Sequence, residues 1–258
     1  MSGIDIKRFF DARYPEHLAY EWDNVGLQIG TLNKALTGVL TALDLTKDVL
    51  DEAIEKDTNV IIVHHPVIFK PLRQILTDAH KGQLIARIIK KDIAVYAAHT
   101  NYDLADNGMN DMLARKLGLE NVDILEYESE THGIGRIGDV EKKPLQETVE
   151  WIKARLDMPY ARLITKRPNK HVKRIAISGG SGAHHMFEAK KKQASLYITG
   201  DVSYHEAHDM LEMGLTALDI GHYAEKHFAK ALAEELRAYG IEAPVHESEI
   251  VTDPFTLV

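Results

Sequence analysis

The chain has 258 residues, 45% of them hydrophobic, and a formal net charge of -8 from 31 Lys+Arg against 39 Asp+Glu. That length suits one large α/β unit or two smaller ones, and the acidic balance makes nucleic acid a poor partner. There is no cysteine, which excludes disulfides, thiolate metal sites and a cysteine nucleophile, so a transition-metal site must draw on the 14 histidines and the carboxylates.

Residues 4–12 predict an opening helix with Ile6, Phe9 and Phe10 on one face. The segment MSGIDIKRFFDARYP is charged throughout and has no small-residue cleavage site, so it does not read as a signal peptide. No apolar run approaches the ~20 residues of a membrane helix. The expectation is a cytoplasmic protein. GVLTAL (38–43) reads as a buried strand, followed by a helix with Thr46 as N-cap and Val49, Leu50, Ala53 and Ile54 in register. NVIIV is a second strand. Residues 78–91 predict a helix with Leu84, Ile85, Ile88 and Ile89 inward, before the strand IAVYAA (93–98) and the helix NGMNDMLARKLGL.

The pattern restarts after about residue 126. THGIGRIGDV is strand and turn, LQETVEWIKARLD a helix, ARLIT and RIAIS strands, HHMFEAKKKQ a helix and LYIT a strand. YHEAHDMLEMG is then a helix, LTALDI a strand, AEKHFAKALAEELRAYG a helix, and APVHES a final strand. Continuous apolar strands alternating with amphipathic helices predict an α/β fold of two lobes with largely parallel sheets covered on both faces.

In such sheets ligands bind beyond the carboxyl ends of the strands. Here those ends carry polar clusters. His64-His65 follow NVIIV, HTNYD (99–103) follows IAVYAA, GDVSYHEAHD follows LYIT, and GHYAE (221–225) follows LTALDI. A metal reading takes His64, His65, Asp103, His222 and Glu225. Imidazole and carboxylate suit zinc, iron, manganese or cobalt. Five ligands suit two divalent ions sharing a carboxylate better than one ion with open positions. Blander readings stand beside this one. Asp103 fits a turn, and Glu225 fits a carboxylate at a helix start. The second doublet, His184-His185, reads as solvated or substrate-facing. SGGSG (178–182) fits a phosphate cradle or a tight turn equally, and matches neither GxGxxG nor the P-loop.

Taken in order, EWDNVGLQIG, VHHPVIFK, AAHTNYD, SGGSG, TGDVSYHEA and GHYAEK resemble the Ngg1-interacting-factor-three-like family nearly end to end. Its bacterial members carry the name GTP cyclohydrolase 1 type 2 homolog. The resemblance implies two intertwined α/β lobes, 1–126 completed by 216–258, and 127–215. It also implies a ring-shaped homohexamer and a dinuclear site on His64, His65, Asp103, His222 and Glu225 at strand carboxyl ends. Some members place the final glutamate four residues after the histidine, whereas here it follows by three. The implied chemistry is metal-dependent hydrolysis at C8 of GTP, opening the imidazole ring and releasing formate. On that reading His99, His205 and Glu206 are proton-transfer or ligand-supporting groups, and Asp23 and Asn24 contact substrate. Capping or loop hydrogen bonding is the alternative for those five. A metal-stabilised scaffold that binds other proteins is the alternative function, and a dinuclear phosphoesterase is the enzymatic rival.

Overall fold

The computed structural model of the protein describes residues 1–256. In chain order the helices and strands are α1 (Ile4–Arg13), β1 (Gly26–Ile29), β2 (Val39–Ala42), α2 (Lys47–Glu55), β3 (Val60–Val63), α3 (His80–Lys90) and β4 (Ala94–Ala97). Next come α4 (Thr100–Leu104), α5 (Met109–Leu117), β5 (Glu120–Tyr127), β6 (Gly133–Pro144), α6 (Leu145–Arg155), β7 (Arg162–Ile164) and β8 (His171–Ile177). The remainder are α7 (Met186–Lys191), β9 (Leu196–Thr199), α8 (Tyr204–Glu212), β10 (Ala217–Asp219), α9 (His227–Tyr239) and β11 (Val245–Glu247). Two compact units result, Met1–Tyr102 with Lys226–Val258, and Asp103–Glu225. These bounds differ from cuts at 126/127 and 215/216 because β5 pairs with β6, and β10 with β9, inside the second unit. The last two residues of the stretch 216–258 lie outside the described residues.

The first unit holds a five-stranded sheet ordered β1-β4-β3-β2-β11. The pairs β4-β3, β3-β2 and β2-β11 are parallel, and only β1 runs antiparallel, at the edge. The middle strands are apolar without alternation because both faces are covered: every residue of Val60–Val63 is fully buried. Thr46 caps α2 as expected, its side chain accepting from the Val49 amide at 3.2 Å. One inward assignment in α3 fails. Ile85 and Ile88 are buried, but Ile89 is 57% exposed, since a residue beside Ile88 lies ~100° round the helix and leaves the narrow apolar stripe.

The second unit holds a six-stranded sheet ordered β5-β6-β8-β9-β10-β7. Only β8-β9 and β9-β10 are parallel, so the expectation of a largely parallel sheet is corrected here. The chain turns from Tyr127 to Gly133 in a short hairpin, and a short connection can join only antiparallel strands. Its core packs Leu125, Ile137, Ala176, Met186, Tyr197 and Met210. Among the described residues, no helix is long and apolar enough to cross a membrane.

Candidate metal centre

Three adjacent parallel strands of the first unit, β2, β3 and β4, deliver polar residues just beyond their carboxyl ends. These are Asp44, His64 with His65, and His99. The ligating atoms of His64, His65 and His99 lie within 4.8 Å of one another, the spacing of a group that could hold a metal ion. Each ring is fixed through its other nitrogen. His64 Nδ1 donates to the Ala98 carbonyl at 2.8 Å. His65 Nδ1 is 2.6 Å from Asp44 Oδ1. His99 Nδ1 sits 3.0 Å from both carboxylate oxygens of Asp23. A proton on Nδ1, held by a carbonyl or carboxylate, leaves the lone pair on Nε2, the tautomer a metal-binding imidazole needs.

The acceptors are themselves braced. Asp44 accepts from the Thr252 hydroxyl at 2.6 Å. The Asp23 side chain is fully buried and also accepts from the Thr100 amide and hydroxyl. Burial alone would push that carboxyl up. The hydrogen bonds from His99 and Thr100 and the adjacent imidazole charge outweigh it and hold the pKa down, from 3.8 to about 2. Asp23 is therefore a carboxylate across the working pH range and a constant anchor for His99.

The second unit repeats the device on β8, β9 and β10. Ser181, Asp201 and His222 follow the ends of these neighbouring parallel strands. His222 Nδ1 lies 2.7 Å from Asp201 Oδ2, which also accepts from Ser181 Oγ at 2.7 Å. Burial raises the Asp201 carboxyl, but the bonds from His222 and Ser181 lower it by more. His222 Nε2 stands 3.2 Å from Glu225 Oε2, and the Glu225 side chain is only 4% exposed. Two backbone approaches make this packing possible. Gly180 has φ +57°, and a Cβ there would meet Glu225 Oε1 at 2.8 Å. A Cβ on Gly200 would meet the Gly221 carbonyl carbon at 2.7 Å.

The Duf34/NIF3 (NGG1p interacting factor 3) family model matches residues 1–254. The chain belongs to the Duf34/NIF3 family. It is 38% identical over 262 residues to a Streptococcus pneumoniae protein and 40% identical over 257 residues to a Lactococcus lactis protein, covering 99% of this chain and of each relative. Both relatives are named GTP cyclohydrolase 1 type 2 homolog. The crystal structure of a Bacillus cereus protein related to NIF3 superposes with a TM-score of 0.95 at 32% identity, covering 100% of this chain and 99% of that one. Reduced HcgD from Methanocaldococcus jannaschii superposes with a TM-score of 0.83 at 27% identity, covering 97% of this chain and 98% of that one.

Within this Duf34/NIF3 chain the residues singled out from sequence fall into several settings. His64 and His65 are joined by His99 in the first unit, and His222 is joined by Glu225 in the second. Asp103 lies in α4, four residues after His99, with its carbonyl accepting from Asn110 Nδ2 at 3.1 Å. His205 and Glu206 open α8. There Glu206 Oε2 accepts from the Ser203 amide at 2.8 Å while Ser203 Oγ accepts from the Glu206 amide, a reciprocal cap. Asp23 serves His99, and the Asn24 side chain donates to the Ile68 carbonyl.

Three amides of the SGGSG turn donate to protein, Ser178 N to Ile198 O, Gly179 N to Asn110 Oδ1 and Gly182 N to Thr199 Oγ1, and Gly179 and Gly180 pack closely against the Glu225 carboxylate. The expected solvation of the second doublet fails at His185, which is buried with Nδ1 2.5 Å from Glu126. Burial lowers its pKa against the pull of that carboxylate. Sequence reasoning missed Asp44, Asp201, Ser181 and Thr252. The available signal was that Asp44 and Asp201 also follow apolar strand runs.

Proposed function

We propose that this chain is a dinuclear metal-dependent hydrolase that opens the purine ring of GTP or a related nucleotide. The observation that carries the metal reading is the set of three strand-end imidazoles, His64, His65 and His99, each with Nδ1 held by an acceptor. The donor set is nitrogen and carboxylate oxygen, which fits zinc, iron, manganese or cobalt. The ligands proposed are His64, His65, Asp103, His222 and Glu225.

Bound divalent ions supply Lewis-acid activation of water near neutral pH. The residues supply the rest. Asp44 and Asp23 orient His65 and His99, so those rings need no rearrangement to bind. Asp201 does the same for His222. The reading adds His99 to the five proposed ligands as a further one, with Asp23 behind it, in place of the proton-transfer or supporting role expected from sequence. It keeps Glu206 as a helix cap that also lies near His184. A ring-shaped homohexamer belongs to the same proposal, by family resemblance.

Metal analysis of protein purified without chelator, followed by a GTP turnover assay with formate detection, tests this reading. The expected result is about two divalent ions per chain and turnover that chelator stops and added ion restores. Metal-loaded protein that leaves GTP intact removes the cyclohydrolase activity and moves the screen to phosphoesters. Inertness toward those as well favours a scaffold. Light scattering that reports a monomer removes the hexamer.

A further inference from the structure

Two large aromatic side chains stand in solvent next to the histidine group of the first unit. Trp22 is 60% exposed and Phe69 43% exposed. Their rings meet edge to face, with centroids 5.9 Å apart, and each lies 6.3 Å from the His99 ring. Tyr20 stacks on Trp22 at 5.5 Å and 18°, backing the indole from one side. Leaving this much aromatic surface wet forgoes burial that folding would otherwise gain.

The loops that carry these rings are nevertheless held firmly. Asn24 Nδ2 donates to Ile68 O, the Ile68 amide donates to Gln28 Oε1 at 3.0 Å, and Gln28 Nε2 donates back to Asn24 O at 2.7 Å. This closed circuit ties the segment after Trp22 to the residue before Phe69. Asp23, next to Trp22, is pinned to His99 and Thr100. Exposed rings on loops fixed at this cost in ordering are preorganised, as a binding surface is.

We propose that Trp22 and Phe69 form a stacking wall for a planar heteroaromatic ring, placing it beside His99. The wall rests on the hydrolase reading for the identity of the ring, a nucleobase. Every nucleobase presents a π-face, and aromatic stacking recognises the face rather than the edge. Asp23 and Asn24, the substrate contacts expected from sequence, then act through their neighbours: one anchors His99 and the other fixes the Phe69 loop. Trp22 and Phe69 make the direct contact.

Guanosine, which lacks phosphate, is the probe, and ribose, which lacks the base, is the control. Titration calorimetry is run on the chelator-treated full chain, so that binding to the wall is read without any metal. Guanosine binds and ribose does not. Trp22→Ala and Phe69→Ala each weaken guanosine by about tenfold, the low end of what one base–aromatic stack contributes. Trp22→Phe keeps most of the affinity, and zinc content after reloading is the same in all variants. In a Trp151→Phe background Trp22 is the single tryptophan, and its emission falls saturably with guanosine. If Trp22→Ala binds guanosine as tightly as the native chain, the wall is overturned. It is also overturned if Trp22 emission changes with protein concentration but not with guanosine, because the rings then meet a second copy. Guanosine binding in a chain that takes up no zinc upholds the wall while removing the metal reading.

Discussion

The dipeptide His-His occurs twice, and its two copies sit in different surroundings. His64-His65 ends a fully buried parallel strand, gathers a third ring from the neighbouring strand and has each Nδ1 anchored. His184-His185 forms part of a short 3-10 turn leading into a six-residue helix. There His184 is exposed, its ring 3.9 Å from that of His185, and the buried His185 is spent on one glutamate. Composition of a motif therefore says little. What separates a metal reading from a packing role is whether parallel strands converge their ends and bring a third ring; an acceptor on one ring nitrogen does not, since His185 has one too.

The most direct way to break this contrast is to remove each pair. The double substitution of His64 and His65 by alanine should abolish zinc uptake, while the same change at His184 and His185 should leave elemental analysis at the native value. Equal losses would place the site elsewhere. Asp103→Ala, which removes the carboxylate proposed to be shared, should lose most of both ions. Full occupancy in that variant would end the two-ion assignment.

A finer test keeps the rings and removes their anchors. Asp44→Asn and Asp23→Asn should each weaken zinc affinity by about 10- to 100-fold in competition with a chromophoric chelator, the usual effect of a partner behind a metal-bound imidazole. Thr252→Val should do so more weakly. Unchanged affinity would mean that the anchors only pack.

The second doublet has its own signature, in acid. His185 has a lowered pKa when folded, so between that value and ~6.5 the unfolded chain binds more protons. Stability then falls as pH drops below ~6.5. In metal-free protein the urea midpoint should decline less between pH 7 and 5.5 in His185→Gln than in the native chain. Parallel declines would show that the buried ring does not contribute. The smallest effect is a control on Glu206. Ser203→Ala removes the reciprocal cap and should cost about 1 kcal/mol in urea unfolding, with zinc content untouched.

Much of this was legible in the sequence because strand ends are. Apolar runs such as VIIV announce where a buried strand stops, and His64, His65, His99 and His222 lie just past such stops. The Thr46 cap and the buried Phe9 and Phe10 were readable from local pattern alone. The orientation of strands was not. β5, with residues 120–123 exposed and pairing only through β6, has no apolar run to mark it. The anchoring roles of Asp23 and Asp44 were hidden because each acts on a histidine far along the chain. Glu206 reads two ways in sequence because a helix-capping glutamate and a proton acceptor share one residue type, and the fold shows the cap. Ile89 misled because periodicity sets a direction but not the width of the buried stripe.

The pairing of β11 with β2 joins Val245 to Val39, residues about 200 positions apart. The second unit is drawn wholly from the residues between them. During synthesis the segments of the second unit all leave the ribosome before β11 does, so that unit can close while the first sheet still lacks an edge strand. Until then β2 shows an unpaired side, the kind of open edge that invites wrong pairing. Order of assembly thus runs against order of translation: the lobe begun first is the one completed last.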